Sequence, residues 1–429
     1  MRNLFDQYDS PENRLTHALA SCLAEDHRLL GRFVRWVTAG SAPDVRHLAI
    51  VEQQLPGDPE LPEREADDRG LPDACIHDGE SWCLVVESKV SAPLHADQLR
   101  RHRATLQRRG FEHVHVLAVT ARDPDARAHD GVHRQTWTGI YKWARQEGQR
   151  SDWARRLAEY LEVAEMRMAE SGYLTEGALT TFAGIPFGLD EPYHHPEAKR
   201  VLAVAMAALR RRTDLVRQLG IDPQAPGRSA IRGEKRGSTA WDVLQFACAG
   251  TDSHFYTRPH ATLGIGRDEA GAFIVLPHSM NKGFRDRLRD LGDSEFVAIM
   301  QEITKRMLRG LRRAKGFVPR LELLQRHFLN RSDSVDDACL KFDLRTALQL
   351  ESATARDGVR FEPEWMQAVP RVLRRKQSNS NLQLMVGAWF PYDRCEAIRK
   401  PEALDHIAAA WIACKPMLNF VLGKDAPKR

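Results

Sequence analysis

The segment LPDACIHDGESWCLVVESKV (71–90) brings an aspartate, a glutamate and a lysine into one short stretch, at positions 73, 87 and 89. Two apolar runs flank Asp78-Gly79, a residue pair suited to positive φ, so the segment reads as a β-hairpin turning at 78–79. Along WCLVVESKV successive side chains alternate, which puts Val85, Glu87 and Lys89 on one face and Leu84, Val86 and Ser88 on the other. A turn at 78–79 sets Asp73 opposite residues 84–85, a diagonal neighbour or so from Glu87. Two carboxylates that close repel each other unless a cation sits between them, and hard oxygen donors of this kind suit Mg²⁺ or Mn²⁺. An adjacent lysine can orient or help deprotonate an attacking water and offset charge on a phosphorane-like transition state.

These residues need elements to hold them. Ser10 as N-cap and Pro11 at the first helical position announce a helix to about residue 25, with the apolar stripe Leu15, Ala18, Leu19, Cys22, Leu23. More helix is expected at 28–38, and HLAIVEQQL (47–55) has the composition of a strand. The Pro- and acid-rich run 56–70 reads as an exposed loop. After the hairpin come a helix at 94–109, a strand at 113–121, a further extended run around 134–139, and helices at 139–147 and 152–170. That order predicts a mixed sheet flanked by helices. Beyond residue 187 the pattern changes to a helix over 197–218, a basic loop at 223–237, strands near 241–248, 260–278, 317–324 and 382–390, and helices at 281–315 and 401–422. The expectation is α/β for 1–187 and an α+β domain for 188–429, with no internal repeat.

Pro72-Asp73 and Glu87-Ser88-Lys89 resemble the signature of the PD-(D/E)XK nuclease superfamily, and the order of elements over about residues 10–170 is similar to its restriction-endonuclease-like fold. Glu197-Ala198-Lys199 also satisfies the E-x-K spacing, but it falls on an expected helix with no Asp-bearing strand beside it. The resemblance implies a metal-dependent phosphodiesterase in which Asp73 and Glu87, with Glu12 on the first helix, bind one or two Mg²⁺, and Lys89 positions the water. It also implies a role for Gln98 on the helix after the E-x-K strand. Glu12 has a second reading as a first-turn acid that complements the helix dipole, and Gln98 a second reading as a solvated helix residue. His102, one turn beyond Gln98, stands where an aromatic residue is expected and is not counted in the site.

Composition narrows the alternatives. Seven cysteines contain no C-x-x-C pair, so neither a disulfide framework nor a cysteine zinc site is expected, and His194-His195 lacks further ligands at helical spacing. No apolar run of membrane-spanning length occurs and the N-terminus lacks a signal-peptide layout, so a soluble, cytoplasmic protein without a membrane partner is expected. The net charge of +5 is uneven. Residues 1–200 hold 25 Lys+Arg against 32 Asp+Glu, a balance of −7, and residues 201–429 hold 38 against 26, a balance of +12. The basic half is therefore the expected partner of a polyanion. Candidate phosphate contacts are Lys305, Arg309, Arg312 and Arg313 on one helix, whose spacing gives 305, 309 and 312 a common face, together with Arg374 and Arg375 in RVLRRK. DNA is the expected substrate, in a bacterial restriction or phage-defence setting by analogy with the superfamily. An RNase remains an alternative, as does a non-catalytic nucleic-acid-binding or signal-sensing protein on the same scaffold. A homo-oligomer or a defence-system partner protein is left open.

Overall fold

A computed structural model describes residues 5, 7–40, 43–56, 71–90, 92–121, 131–171, 173, 184–228, 239–247, 254–330, 333–348, 363–374, 381–400 and 402–423. The chain divides into two compact units, 1–183 and 184–429.

In the first unit, helices α1 (Pro11–Ala24) and α2 (His27–Val37) precede strands β1 (Ala49–Glu52), β2 (Ala74–His77) and β3 (Trp82–Lys89). Helix α3 (Ala96–Arg108), strands β4 (His113–Thr120) and β5 (Val132–Thr136), and helices α4 (Trp137–Glu147) and α5 (Asp152–Ser171) complete it. The sheet runs β1-β2-β3-β4-β5, antiparallel from β1 to β3 and parallel from β3 to β5. Strand β3 lies at its centre and is buried from Trp82 to Ser88, which is why its sequence is almost continuously apolar. Leu84 and Val86 enter one core with α1, α2, α4 and α5, while Cys83 and Val85 enter a second core under Leu99 and Leu106 of α3. The alternation expected from the sequence thus sends Glu87 to the α3 side. Helix starts are fixed locally: Asp26 accepts the Leu29 N–H at 2.9 Å and the Ser151 hydroxyl at 2.6 Å, and Thr136 accepts the Gly139 N–H at 3.0 Å.

The hairpin differs from the two-residue turn expected at 78–79. His77 pairs with Cys83 and Ala74 with Val86, so residues 78–81 form the connection between β2 and β3, with Gly79 at φ +83°. The Asp78 carboxylate accepts the N–H groups of Glu80, Ser81 and Trp82 at 2.9–3.0 Å, which stabilises this wider loop. The register therefore shifts by three residues. Continued one step, it puts Asp73 across from Glu87 rather than from 84–85.

The second unit contains α6 (His195–Arg210), α7 (Thr213–Leu219), β6 (Thr239–Gln245), β7 (His260–Gly266), β8 (Glu269–Leu276), α8 (Lys282–Asp290) and α9 (Asp293–Gly310). It continues through β9 (Val318–Asn330), β10 (Asp333–Asp343), α10 (Pro363–Arg374), β11 (Leu382–Pro391), α11 (Ala403–Ala413) and α12 (Lys415–Leu422). Its sheet is fully antiparallel in the order β10-β9-β11-β8-β7-β6. Helix α11 packs on β8 and β11, and α6 on β6 and β7. The single helices expected at 197–218, 281–315 and 401–422 are each split in two, and β10 and α10 fall where no element is expected. Among the described residues no helix is long and apolar enough to cross a membrane.

Candidate active site

Four elements of the first unit bring the site together. The end of β3 supplies Glu87 and Lys89, the residue before β2 supplies Asp73, the first turn of α1 supplies Glu12, and the first turns of α3 supply Gln98 and His102. Glu87 is 1% exposed and heavily engaged. Its Oε1 accepts from Gln98 Nε2 at 2.7 Å and lies 2.7 Å from Lys89 Nζ. On the other oxygen, His102 Nε2 approaches Oε2 to 3.3 Å, within ion-pair distance, yet the alignment leaves both atoms buried without a hydrogen-bond partner among the described residues. Asp73 Oδ2 accepts the Ser88 N–H at 2.7 Å, tying the start of β2 to the end of β3.

Glu12 is placed differently from a simple helix-start acid. Its Oε1 accepts the N–H groups of Val90 at 2.8 Å and Ala92 at 3.4 Å, so the side chain braces the chain leaving β3 against α1. This contact brings a third carboxylate within electrostatic reach of Asp73 and Lys89 at the cost of directing one oxygen to backbone. Gln98 is not a solvated residue, since its amide is committed to Glu87. His102, left out of the site on sequence grounds, is 3% exposed and part of it. The signal that could have placed it is the one-turn spacing from Gln98 on the same helix face.

The electrostatics follow from a buried Glu87 with half-buried Asp73, Glu12 and Lys89 around it. Burial and the charge of Glu87 push the Asp73 carboxyl up to about 6, against the lowering effect of the Ser88 N–H and Lys89. Burial also works against an ionised Glu87, but His102 and Lys89 outweigh it and hold this carboxyl below its ordinary range. For Lys89, burial favours the neutral amine, and Glu87, Asp73 and Glu12 overcome it and raise its pKa, so the ammonium is retained.

No group of three or more His, Cys, Asp and Glu side chains arranged to hold a metal ion occurs among the described residues. The donor chemistry at Asp73 and Glu87 is nevertheless of the type a hard divalent cation takes: two neighbouring carboxylates, with one buried oxygen, Glu87 Oε2, that has no hydrogen-bond partner among the described residues. Mg²⁺ commonly uses only one or two protein carboxylates and fills its remaining positions with water and phosphate oxygens.

The candidate phosphate contacts of the second unit are less uniform than their spacing suggested. Lys305 and Arg309 are exposed on α9. The helix ends at Gly310, with Leu311 buried behind it, so Arg312 and Arg313 are exposed in the following turn and do not continue the helical stripe. Arg374 donates to Leu291 O at 2.9 Å and to Asp293 Oδ1 at 2.5 Å, which fixes α10 to the start of α9. Arg375 lies outside the described residues.

No model of a known protein family matches the chain, and no curated protein matches it.

Proposed function

We propose that the first unit is a divalent-metal-dependent nuclease that hydrolyses phosphodiester bonds, with DNA as its substrate. The observation that carries this reading is the convergence of Asp73, Glu87 and Lys89 at one end of the β2–β3 hairpin, with the two carboxylates close enough for Glu87 to raise the Asp73 pKa. Asp73 and Glu87 would hold Mg²⁺ or Mn²⁺, with Glu12 supplying further negative charge. When bound, the ion would polarise the scissile phosphate and lower the pKa of a water.

The protein's own groups then have separable tasks. Gln98 and His102 restrain Glu87 from the α3 side, so that its carboxylate is aimed rather than mobile. Lys89 stays protonated in this field of carboxylates, which suits it to orienting the water and countering charge on the phosphoryl oxygens better than to accepting a proton. The water oxygen, giving up a proton to solvent, adds to phosphorus as a bridging P–O bond breaks, and the leaving oxygen takes up a proton from solvent. The preference for DNA and the restriction or phage-defence setting come from the superfamily resemblance. In the second unit, Lys305, Arg309, Arg312 and Arg313 remain the proposed phosphate contacts.

A second reading, a non-catalytic nucleic-acid-binding or sensing protein on this scaffold, is favoured by the absence of a three-donor metal group among the described residues. Incubation with linear DNA, circular DNA and RNA, each with Mg²⁺ or EDTA, separates the two. Metal-dependent cutting of DNA is expected. Intact substrates throughout, with no metal-linked rise in melting temperature, would leave the scaffold reading standing.

A further inference from the structure

The first unit carries a second polar feature that the metal site does not use. Helices α2 and α4 present RFVRW and GIYKW, which place Arg32, Arg35 and Trp36 on one helix against Gly139, Lys142 and Trp143 on the other at one-turn spacing. Between them lies an open cleft of about 480 Å³, within the range that accommodates small organic ligands. Its aromatic wall is built. The rings of Trp36 and Trp143 stack at 5.5 Å with a 13° interplanar angle, and Phe33 supports them from the core, 5.2 Å from Trp143. Trp143 is buried and Trp36 half-buried, so the stack is anchored while part of it borders the cleft.

The charge of the cleft opposes that of its surroundings. Three cations, Arg32, Arg35 and Lys142, face one carboxylate, Glu147, in a region whose first 200 residues carry a net −7. Glu147 already pairs with Arg32 at 2.5 Å, and Arg32 Nη2 is buried with no hydrogen-bond partner among the described residues. Arg35 and Lys142 are exposed at the rim. A planar aromatic surface beside clustered cations is the chemistry that binds a base together with its phosphate.

The α2–α4 cleft lies on the sheet face opposite Glu87 and α3, and the link between the two sites runs across the C-terminal ends of β3, β4 and β5. Lys89 pairs with Thr120 and Thr120 with Thr136, so the row from the lysine to the start of α4 crosses two strand spacings, about 10 Å. Thr136 caps α4 by accepting the Gly139 N–H, and Gly139 lines the near end of the cleft. A strand rising roughly 3.4 Å per nucleotide along its axis would cover that span in about three nucleotides.

We infer that the α2–α4 cleft binds a nucleotide unit, with its phosphate on Arg35, Lys142 and Arg32 and its base against the Trp36–Trp143 stack, as part of a single-stranded nucleic acid leading from the metal site. The choice of a polymer rests on the nuclease reading of that site. The cleft thereby gives the acidic first unit its own hold on the substrate, beside any contribution from the basic second unit.

The test is anisotropy of a labelled single-stranded oligonucleotide titrated with the full chain in EDTA, where no cutting intervenes. Arg35→Ala and Lys142→Ala should each lower the slope of log K against log salt by about 0.7. Trp36→Ala should weaken binding roughly 5- to 150-fold at all salt concentrations. Should Trp36→Ala fail to fold, the Arg35→Ala/Lys142→Ala pair, which removes only exposed side chains, decides by a slope lower by about 1.4. Unlabelled oligonucleotide and free dAMP serve as competitors: competition by the oligonucleotide alone assigns the ligand to a polymer, and equal competition by dAMP assigns it to a free nucleotide. Wild-type affinity and slope in the double variant would overturn the inference, while DNA cutting by the wild type would still stand. Loss of binding in the variants of a chain that cuts nothing would uphold the cleft and retire the nuclease.

Discussion

Asp73→Asn should make the metal-free protein more stable at neutral and alkaline pH, although it removes a charge that attracts Lys89. Burial and the neighbouring Glu87 raise the Asp73 carboxyl from an ordinary 3.8 to about 6. A carboxyl raised on folding contributes stability fully below its unfolded value, and that contribution is lost as pH rises through the folded value. At about 1.4 kcal/mol per tenfold change in proton affinity, the ionised aspartate costs the folded protein about 3 kcal/mol at pH 8 and less than about 1 kcal/mol at pH 4. Asparagine resembles the protonated carboxyl and its Oδ1 can still accept the Ser88 N–H. The variant should therefore gain about 2–3 kcal/mol at pH 8 in EDTA, about 2–4 °C of melting temperature per kcal/mol for a unit of this size. Denaturation in EDTA at pH 4 and pH 8 measures this, and Mg²⁺ should then stabilise the wild type but not the variant. A loss of stability at pH 8 in EDTA would refute the picture of a repelled, cation-seeking carboxylate pair.

Three further outcomes follow from the same geometry. Glu12→Gln keeps an acceptor for the Val90 and Ala92 N–H groups and should melt within about 1 kcal/mol of wild type while binding Mg²⁺ more weakly, whereas Glu12→Ala should lose about 1–3 kcal/mol in denaturant titrations. Gln98→Ala and His102→Ala should each reduce metal affinity about 10- to 100-fold by calorimetry, and His102→Gln should recover part of the loss; unchanged affinity in both alanine variants would remove their role in aiming Glu87. Reversing Arg309, Arg312 and Arg313 to Glu should weaken DNA binding strongly at low salt and less at high salt, with metal binding unchanged; wild-type binding and salt dependence would assign the second unit another purpose.

The sequence was most legible where side-chain period and burial coincide. Strand β3 alternates between two cores, so the strand period alone puts Glu87 and Lys89 on one face and Asp73 near them. The register was not legible, because Asp78 captures three N–H groups and widens the loop. Backbone contacts made by side chains were hidden for the same reason: nothing in PENRLT reveals that Glu12 reaches Val90, 78 residues away. His102 stands where an aromatic is expected, and its place in the site is legible only in the helix face it shares with buried Leu99 and Leu106. In the second unit, β10 escaped because its exposed, Asp-rich sequence has low β-propensity and lies at a sheet edge. Helix α10 escaped because Pro370 stands inside it, and its basic end drew attention as a phosphate contact although Arg374 holds Asp293. The α2–α4 cleft needed two distant segments to be brought together, which periodicity within either one cannot announce.

The central claim is that Asp73, Glu87 and Lys89 form one hydrolytic centre, and single-turnover nicking of closed circular DNA with Mg²⁺ tests it most directly. Wild type should nick and EDTA should stop it. Asp73→Ala, Glu87→Ala and Lys89→Ala should each abolish nicking while retaining a cooperative melt. Near-wild-type nicking by any two of these folded variants would contradict the assignment, as would nicking by the wild type at full rate in EDTA.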